Sequence, residues 1–271
     1  MRIVMIGSGN LATQLSLALK DAGQEIVQIF SRTEAHAQML AEQIGCPYTT
    51  SADAILRDAD VYILSVKDDA LSALAAAVCG SRQQGLFLHT AGSMPMDLFK
   101  GHASQYGVLY PMQTFSKTRR VNFREIPCFI EGSSAQALAT IRLLSERISD
   151  HVVPCDSEKR KRLHLAAVLA CNLTNHCYRL AERVLEAEQI DFRLFLPLIE
   201  ETARKVTILS PRDAQTGPMV RYDQNVMAMQ MSMLPDARTR EIYRLMAESI
   251  HEDYIDEFHL EKKIKWVLLE L

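Results

Sequence analysis

Apolar and polar residues follow two different rhythms along this chain. In the first, short apolar runs alternate with stretches in which apolar residues recur at helical spacing. The runs are Ile3-Val4-Met5-Ile6, Glu25 to Phe30, Pro47 to Thr49, Ala59 to Val66, Leu86 to Leu88, Val108 to Tyr110, Ile126 to Ile130 and Val152-Val153. Each reads as a strand, and Ala59 to Val66 is too uniformly apolar to have a solvent face, as expected of a buried parallel strand. Between them, Leu11, Leu15, Ala18, Leu19 and Ala22 make a helix closed by Gly23, and Glu34 to Ile44 make a second closed by Gly45. A helix capped by Asp68 or Asp69 follows, and Gly132-Ser133-Ser134 opens one that runs to Ile148. The alternation predicts an α/β fold with a doubly wound, mostly parallel sheet.

From Asp156 the strand rhythm stops. Ser157 to Glu188 contains neither proline nor glycine and predicts one helix of roughly 45 Å at about 1.5 Å per residue. Asp191 starts another, through Val206. After the loop Ser210 to Pro218, Gly217-Pro218 is expected to open a helix with Gln215 and Thr216 at its positive end. Pro235-Asp236 breaks the chain once more, and the last stretch ends in Trp266-Val267-Leu268-Leu269-Glu270-Leu271. The expected domains are a sheet domain over 1–155 and an all-α domain over 156–271.

The 271 residues suffice for two cores. The net charge of −3 is spread with mixed sign, which leaves no footprint for nucleic acid or an anionic membrane. The local exception, Lys159-Arg160-Lys161-Arg162, reads as the basic start of a helix or a solvated turn rather than as a binding patch. Six cysteines without C-x-x-C spacing suit a reduced, cytoplasmic protein, and no run approaches the ~18 apolar residues of a membrane span. No metal site is expected: the methionines at 227, 229, 231 and 233 have no His or Cys among them and suit an adaptable packing surface.

The chemistry is expected where the strands end. After the first strand stands Gly7-Ser8-Gly9-Asn10-Leu11-Ala12. The first glycine permits a tight turn, the second lets the backbone approach a pyrophosphate, and the small Ala12 lets helix and strand pack closely; the positive helix end then holds the phosphates. After the second strand, where an NAD site would place a carboxylate for the ribose, the chain has Ser31-Arg32-Thr33, groups suited to a 2′-phosphate. The expected cofactor is therefore NADP, held by Gly7, Ser8, Gly9, Asn10 and Leu11, by Ser31, Arg32 and Thr33, and by later strand ends at Ser65, Val66 and Lys67 and at Thr90, Ala91 and Gly92. The loop Pro111-Met112-Gln113-Thr114-Phe115 falls on the same rim. On the long helix, a wheel at about 100° per residue puts Ala166, Ala167, Ala170, Leu173 and Cys177 on an apolar face. His164, Asn172, Asn175 and His176 lie on the opposite arc. Leu163 to Tyr178 carries no formal charge, which suits either a cleft or a hydrogen-bonded polar core.

Taken together, these stretches resemble the Rossmann-like NADP oxidoreductases with a helical carboxyl-terminal domain of formerly unknown function, relatives of pyrroline-5-carboxylate reductases and deazaflavin-dependent NADP reductases. The residues that carry the resemblance are Ile6 to Ala12, Ser31-Arg32-Thr33, His89 to Ser93, Tyr110 to Phe115, His164 to Val168 with Asn172 and His176, and Gln215 to Pro218 with Arg221 and Asp223. It implies an NADP-binding domain, a helical second domain and a homodimer. Where many β-hydroxyacid dehydrogenases have a catalytic Lys followed four residues on by Asn, this chain has His164 and Val168, so their lysine mechanism does not carry over. The expected activity is NADPH-dependent reduction of a small carbonyl or imine compound, with His164 or His176 as general acid and Asn172, Gln113, Thr114 and Thr216 orienting the substrate. A non-catalytic NADP-sensing dimer is the alternative.

Overall fold

The computed structural model describes residues 1–80 and 84–255. The chain divides into two compact units, Met1–Asn172 and Leu173–Leu271. In the first, all eight predicted strands form: β1 (Arg2–Ile6), β2 (Glu25–Phe30), β3 (Tyr48–Thr49), β4 (Val61–Leu64), β5 (Leu86–His89), β6 (Gln105–Pro111), β7 (Cys128–Gly132) and β8 (Val152–Pro154). They make one sheet in the order β3-β2-β1-β4-β5-β6-β7-β8. β1 lies between β2 and β4, each parallel to it, so the winding reverses there, and the carboxyl ends of β1 and β4 open a crevice. Residues on β1 alternate between two cores, Ile3 and Met5 on one face of the sheet and Val4 and Ile6 on the other, all fully buried. That two-sided burial explains the uniformly apolar strands.

Helices α1 (Asn10–Asp21), α2 (Glu34–Ile44), α3 (Asp68–Cys79) and α4 (Ala135–Glu146) flank the sheet. The hydroxyl of Ser134 accepts from the Ala137 N–H at 3.0 Å and so caps α4. At α3 the expected aspartate cap is absent. The capping position is Lys67 without a side-chain bond, and the Asp68 carboxylate accepts from the Ser93 hydroxyl.

β7 runs antiparallel to β6, and β8 is parallel to β7. This reversal carries the chain back to the amino-terminal edge of β6, so that α5 (Ser157–Ala167) can climb towards the crevice. The Asp156 carboxylate caps α5 through the Lys159 N–H at 2.8 Å. The basic tetrad does start a helix, as expected, but Arg160 within it is not solvated. Its side chain is fully buried and paired with Glu131 of β7, while Lys159 and Lys161 pair with Asp156 and Glu158 at the surface. Because this contact holds α5 to the sheet, the first unit extends to Asn172, past the expected boundary at 155.

The proline-free stretch is helical from Ser157 through α6 (Thr174–Ala187), but Val168–Leu173 within it is a π-helix. A π-turn bonds i to i+5, so the phase assumed by the wheel slips across this segment. The presumed apolar face is not sequestered either: Leu173 remains 51% exposed. In the second unit, Asp191 caps a short 3₁₀ turn that leads into α7 (Leu196–Lys205), with Pro197 in its first turn. α8 (Pro211–Ala214), α9 (Gln224–Ser232) and α10 (Ala237–Glu252) follow. Gly217-Pro218 does not open a helix. α9 begins only at Gln224, capped by the Asp223 carboxylate, so Gln215 and Thr216 do not sit at its positive end. Trp266 to Leu271 lie outside the described residues. Among the described residues no helix is long and apolar enough to cross a membrane, and no group of His, Cys, Asp and Glu could hold a metal ion.

Candidate functional site

A cleft of about 550 Å³ follows the carboxyl ends of β1, β2, β4, β5 and β6 within the first unit. Its floor is the β1–α1 turn. Gly7 adopts φ +123°, and a Cβ there would lie 2.0 Å from the Ser65 carbonyl oxygen, so only glycine allows the backbones of the β1 and β4 ends to meet. Gly9 is different. A Cβ on it would touch nothing within 4 Å, so no protein group demands a glycine at this position. No side chain caps α1, which leaves the N–H groups of its first turn facing the cleft. Asn10 and Gln14 donate to the Phe115 and Ser116 carbonyls at 2.9 and 2.8 Å, tying the loop after β6 across α1.

At one end of the cleft stand Ser31, Arg32, Thr33 and His36. Ser8 donates to the Ser31 hydroxyl at 2.8 Å, joining the first turn to the second. Arg32 is exposed and makes no ion pair among the described residues, so its guanidinium is available to an anion. An uncapped helix end, an unencumbered glycine and a free guanidinium beside hydroxyls fit the pyrophosphate and 2′-phosphate of a dinucleotide. Ser65, Val66, Lys67, Thr90, Ala91 and Gly92 line the middle and far wall, with Thr90 donating to the Ser65 hydroxyl at 3.1 Å. All fourteen residues expected to hold the cofactor therefore line this one cleft.

The residues expected to act on substrate are more scattered. His164 and Gln113 line the cleft; Thr114 lies exposed beside it, and its N–H donates to the Gln113 side chain at 2.8 Å. Asn172 is exposed at the end of the first unit, and His176 and Thr216 are exposed residues of the second. His164 has a partner that the sequence reading did not assign: Tyr110, at the end of β6, places its hydroxyl 3.0 Å from His164 Nδ1, with the rings edge to face. Burial raises the Tyr110 pKa, and the nearby Arg160 cation opposes that rise. Gly92 allows this approach, since a Cβ there would lie 2.7 Å from His164 Cγ and Nδ1. The signal for Tyr110 was its place, a polar-tipped aromatic at the carboxyl end of an inner strand. Asp68 and Ser93, at two of the expected strand ends, line the cleft as well, and so does His36, for which no role was expected.

Behind this wall His89 is fully buried and accepts the Ala91 N–H on Nδ1 at 3.2 Å. Burial, assisted by the Arg160 cation, pushes its pKa down to about 3. It is a neutral framework residue at working pH.

Comparison with known proteins agrees with this geometry. Residues 2–88 match the family described as NADP oxidoreductase, coenzyme F420-dependent, and residues 126–250 match a domain of unknown function, DUF2520, which takes in β7, α4 and β8 as well as most of the later helices. A solved structure from Bacteroides fragilis, assigned as an NADP oxidoreductase, is 48% identical, with a TM-score of 0.90 over 93% of this chain and 98% of that one. A Thermotoga maritima protein is 22% identical, with a TM-score of 0.74 over 92% of this chain and 99% of its own. An imine reductase from Myxococcus stipitatus, solved with NADP+, shares the fold at 15% identity and a TM-score of 0.64, over 94% and 93% of the two chains. No curated protein matches significantly. On the match to the Bacteroides protein, the chain belongs to the NADP(H)-dependent oxidoreductases that join a Rossmann-type cofactor domain to a DUF2520 domain.

Proposed function

We propose that the protein is an NADPH-dependent reductase of a small imine or carbonyl compound and that His164 supplies the proton. The observation that carries this reading is the Tyr110–His164 pair on the wall of the dinucleotide cleft. NADPH, when bound, supplies the hydride for the carbon of the C=N or C=O bond. The nitrogen or oxygen must then gain a proton. Tyr110 engages His164 Nδ1 and fixes the ring, which leaves Nε2 to face the cleft as donor. Gln113 on the same rim orients the acceptor. Ser31, Arg32 and Thr33 select the 2′-phosphorylated cofactor. Imines are favoured among substrates because imine reductases and a reductive aminase share this fold.

His164→Gln should lower kcat about 100-fold while leaving NADPH affinity unchanged. NADPH oxidation with cyclic imines, keto acids and aldehydes, alongside a fluorescence titration with NADPH alone, reads both quantities. Retained turnover with lost NADPH binding would assign His164 to the cofactor instead. We further propose that the chain works as a homodimer joined through its helical unit, where Leu194, Leu198, Ile208 and Met233 are each more than half exposed.

A further inference from the structure

The buried guanidinium behind the cleft points to a second layer of the site. Arg160 donates to the Glu131 carboxylate of β7, to the Met94 carbonyl at 2.6 Å and to the Ser157 hydroxyl at 3.1 Å. Glu131 also accepts from the Ser157 N–H at 3.0 Å and from its hydroxyl at 2.8 Å. The Ser157 hydroxyl in turn accepts from the Met96 N–H at 3.0 Å. One network therefore joins an antiparallel strand, the first turns of α5, and the far end of the loop that carries Gly92.

Stability alone is a poor reason for such a pair. A buried ion pair costs about as much in desolvation as it returns, and apolar residues of the same volume often serve as well. Arg160 Nε is even left buried without a partner. What the guanidinium supplies is register: its planar fork has fixed acceptors on two other elements and so sets both the height and the rotation of α5. His164 follows Arg160 by four residues, one turn on and on the same helix face. There the tolerance is small, with Gly92 on one side and the Tyr110 hydroxyl 3.0 Å away on the other.

We infer that Arg160 and Glu131 are positioning residues that lock α5 and the Gly92 loop in the register where His164 meets Tyr110. The assignment rests on the proposed role of His164 for its kinetic consequence, but not for its geometric one. The Arg160 cation also acts at a distance, opposing the rise in the Tyr110 pKa that burial causes.

The test compares Arg160→Met with the double variant Arg160→Met, Glu131→Gln. Thermal unfolding, NADPH titration, the ¹⁵N imidazole signal of His164 and NADPH oxidation with 1-pyrroline are measured for each. The single variant leaves the largely shielded Glu131 carboxylate without its cation and should unfold at markedly lower temperature. The double variant removes both charges and should regain most of that loss. It should nevertheless show kcat at least tenfold lower, KM and NADPH Kd within twofold of wild type, and a His164 signal moved to the position it takes in Tyr110→Phe. Wild-type stability together with a wild-type His164 signal and kcat would reduce the pair to a fold staple and overturn the inference. Should the double variant fail to fold, Arg160→Lys decides by the same signal, because lysine keeps the charge but not the fork. If His164→Gln and Tyr110→Phe leave kcat unchanged, the proton-donor reading falls, while the His164 signal still tests the lock.

Discussion

The two units treat apolar side chains in opposite ways. In the sheet unit Ile3, Val4, Met5, Ile6, Ile63, Leu64, Phe87 and Leu88 are fully buried, and the unit closes around two cores of its own. In the helical unit the described residues include few buried apolar side chains, among them Leu185, Met227 and Ala247. Ile208 is 78% exposed and Leu194 71%. A surface so rich in large apolar groups is what the proposed dimer would cover. The sheet unit carries a self-sufficient cofactor cleft, and the helical unit presents the surface on which assembly is proposed.

The difference can be attacked from both sides. The largest effect is expected in the sheet unit from Gly7→Ala, which sets a Cβ against the Ser65 carbonyl in a backbone conformation hostile to side chains. It should cost about 3 kcal/mol or more, read by urea unfolding. Charging the helical face with Leu194→Glu and Ile208→Glu should instead weaken self-association about 100-fold in light scattering, because it buries carboxylates without partners. NADPH binding to the sheet unit should survive; a dimer of unchanged strength would place the interface elsewhere. Gly9→Ala separates ligand from fold within the cleft. Stability should move by less than about 1 kcal/mol, since the new Cβ meets nothing, whereas NADPH affinity should fall roughly tenfold as the methyl occupies the path of the pyrophosphate. Equal losses of both would mean that this glycine serves the fold.

The last effect concerns pH and is confined to acid, leaving stability at neutral pH untouched. His89 titrates near 6.5 when unfolded and at about 3 when folded, so below 6.5 the unfolded state binds the extra proton. The contribution is complete above pH 6.5 and is lost as pH falls towards 3, by at most about 1.4 kcal/mol per pH unit. His89→Asn, which keeps an acceptor for the Ala91 N–H, should flatten that part of the pH–stability curve. An unchanged slope would assign it to carboxylates.

How much of this was legible in the sequence depended on the range of the forces involved. The strands could be read because burial on both faces leaves a local mark, and the cofactor turn because Gly7 answers a backbone collision at its own position. Tyr110 and His164 stand 54 residues apart, and nothing local announces their meeting. The basic tetrad could be read as a helix start, but the burial of Arg160 within it could not, because Glu131 arrives from β7. The start of α9 was misread because proline's tolerance for a first helical turn is weaker than a carboxylate cap, and Asp223 provides that cap.

The π segment at Val168–Leu173 bears on how relatives of this chain are to be aligned. A π-turn holds one residue more than an α-helix needs over the same rise, so a relative without it would match this chain only across a one-residue gap. An ungapped alignment would pair residues beyond Leu173 with counterparts pointing about 100° away. Side chains before the segment, His164 among them, can be compared position by position, but Asn175 and His176 can be compared only after that gap has been placed.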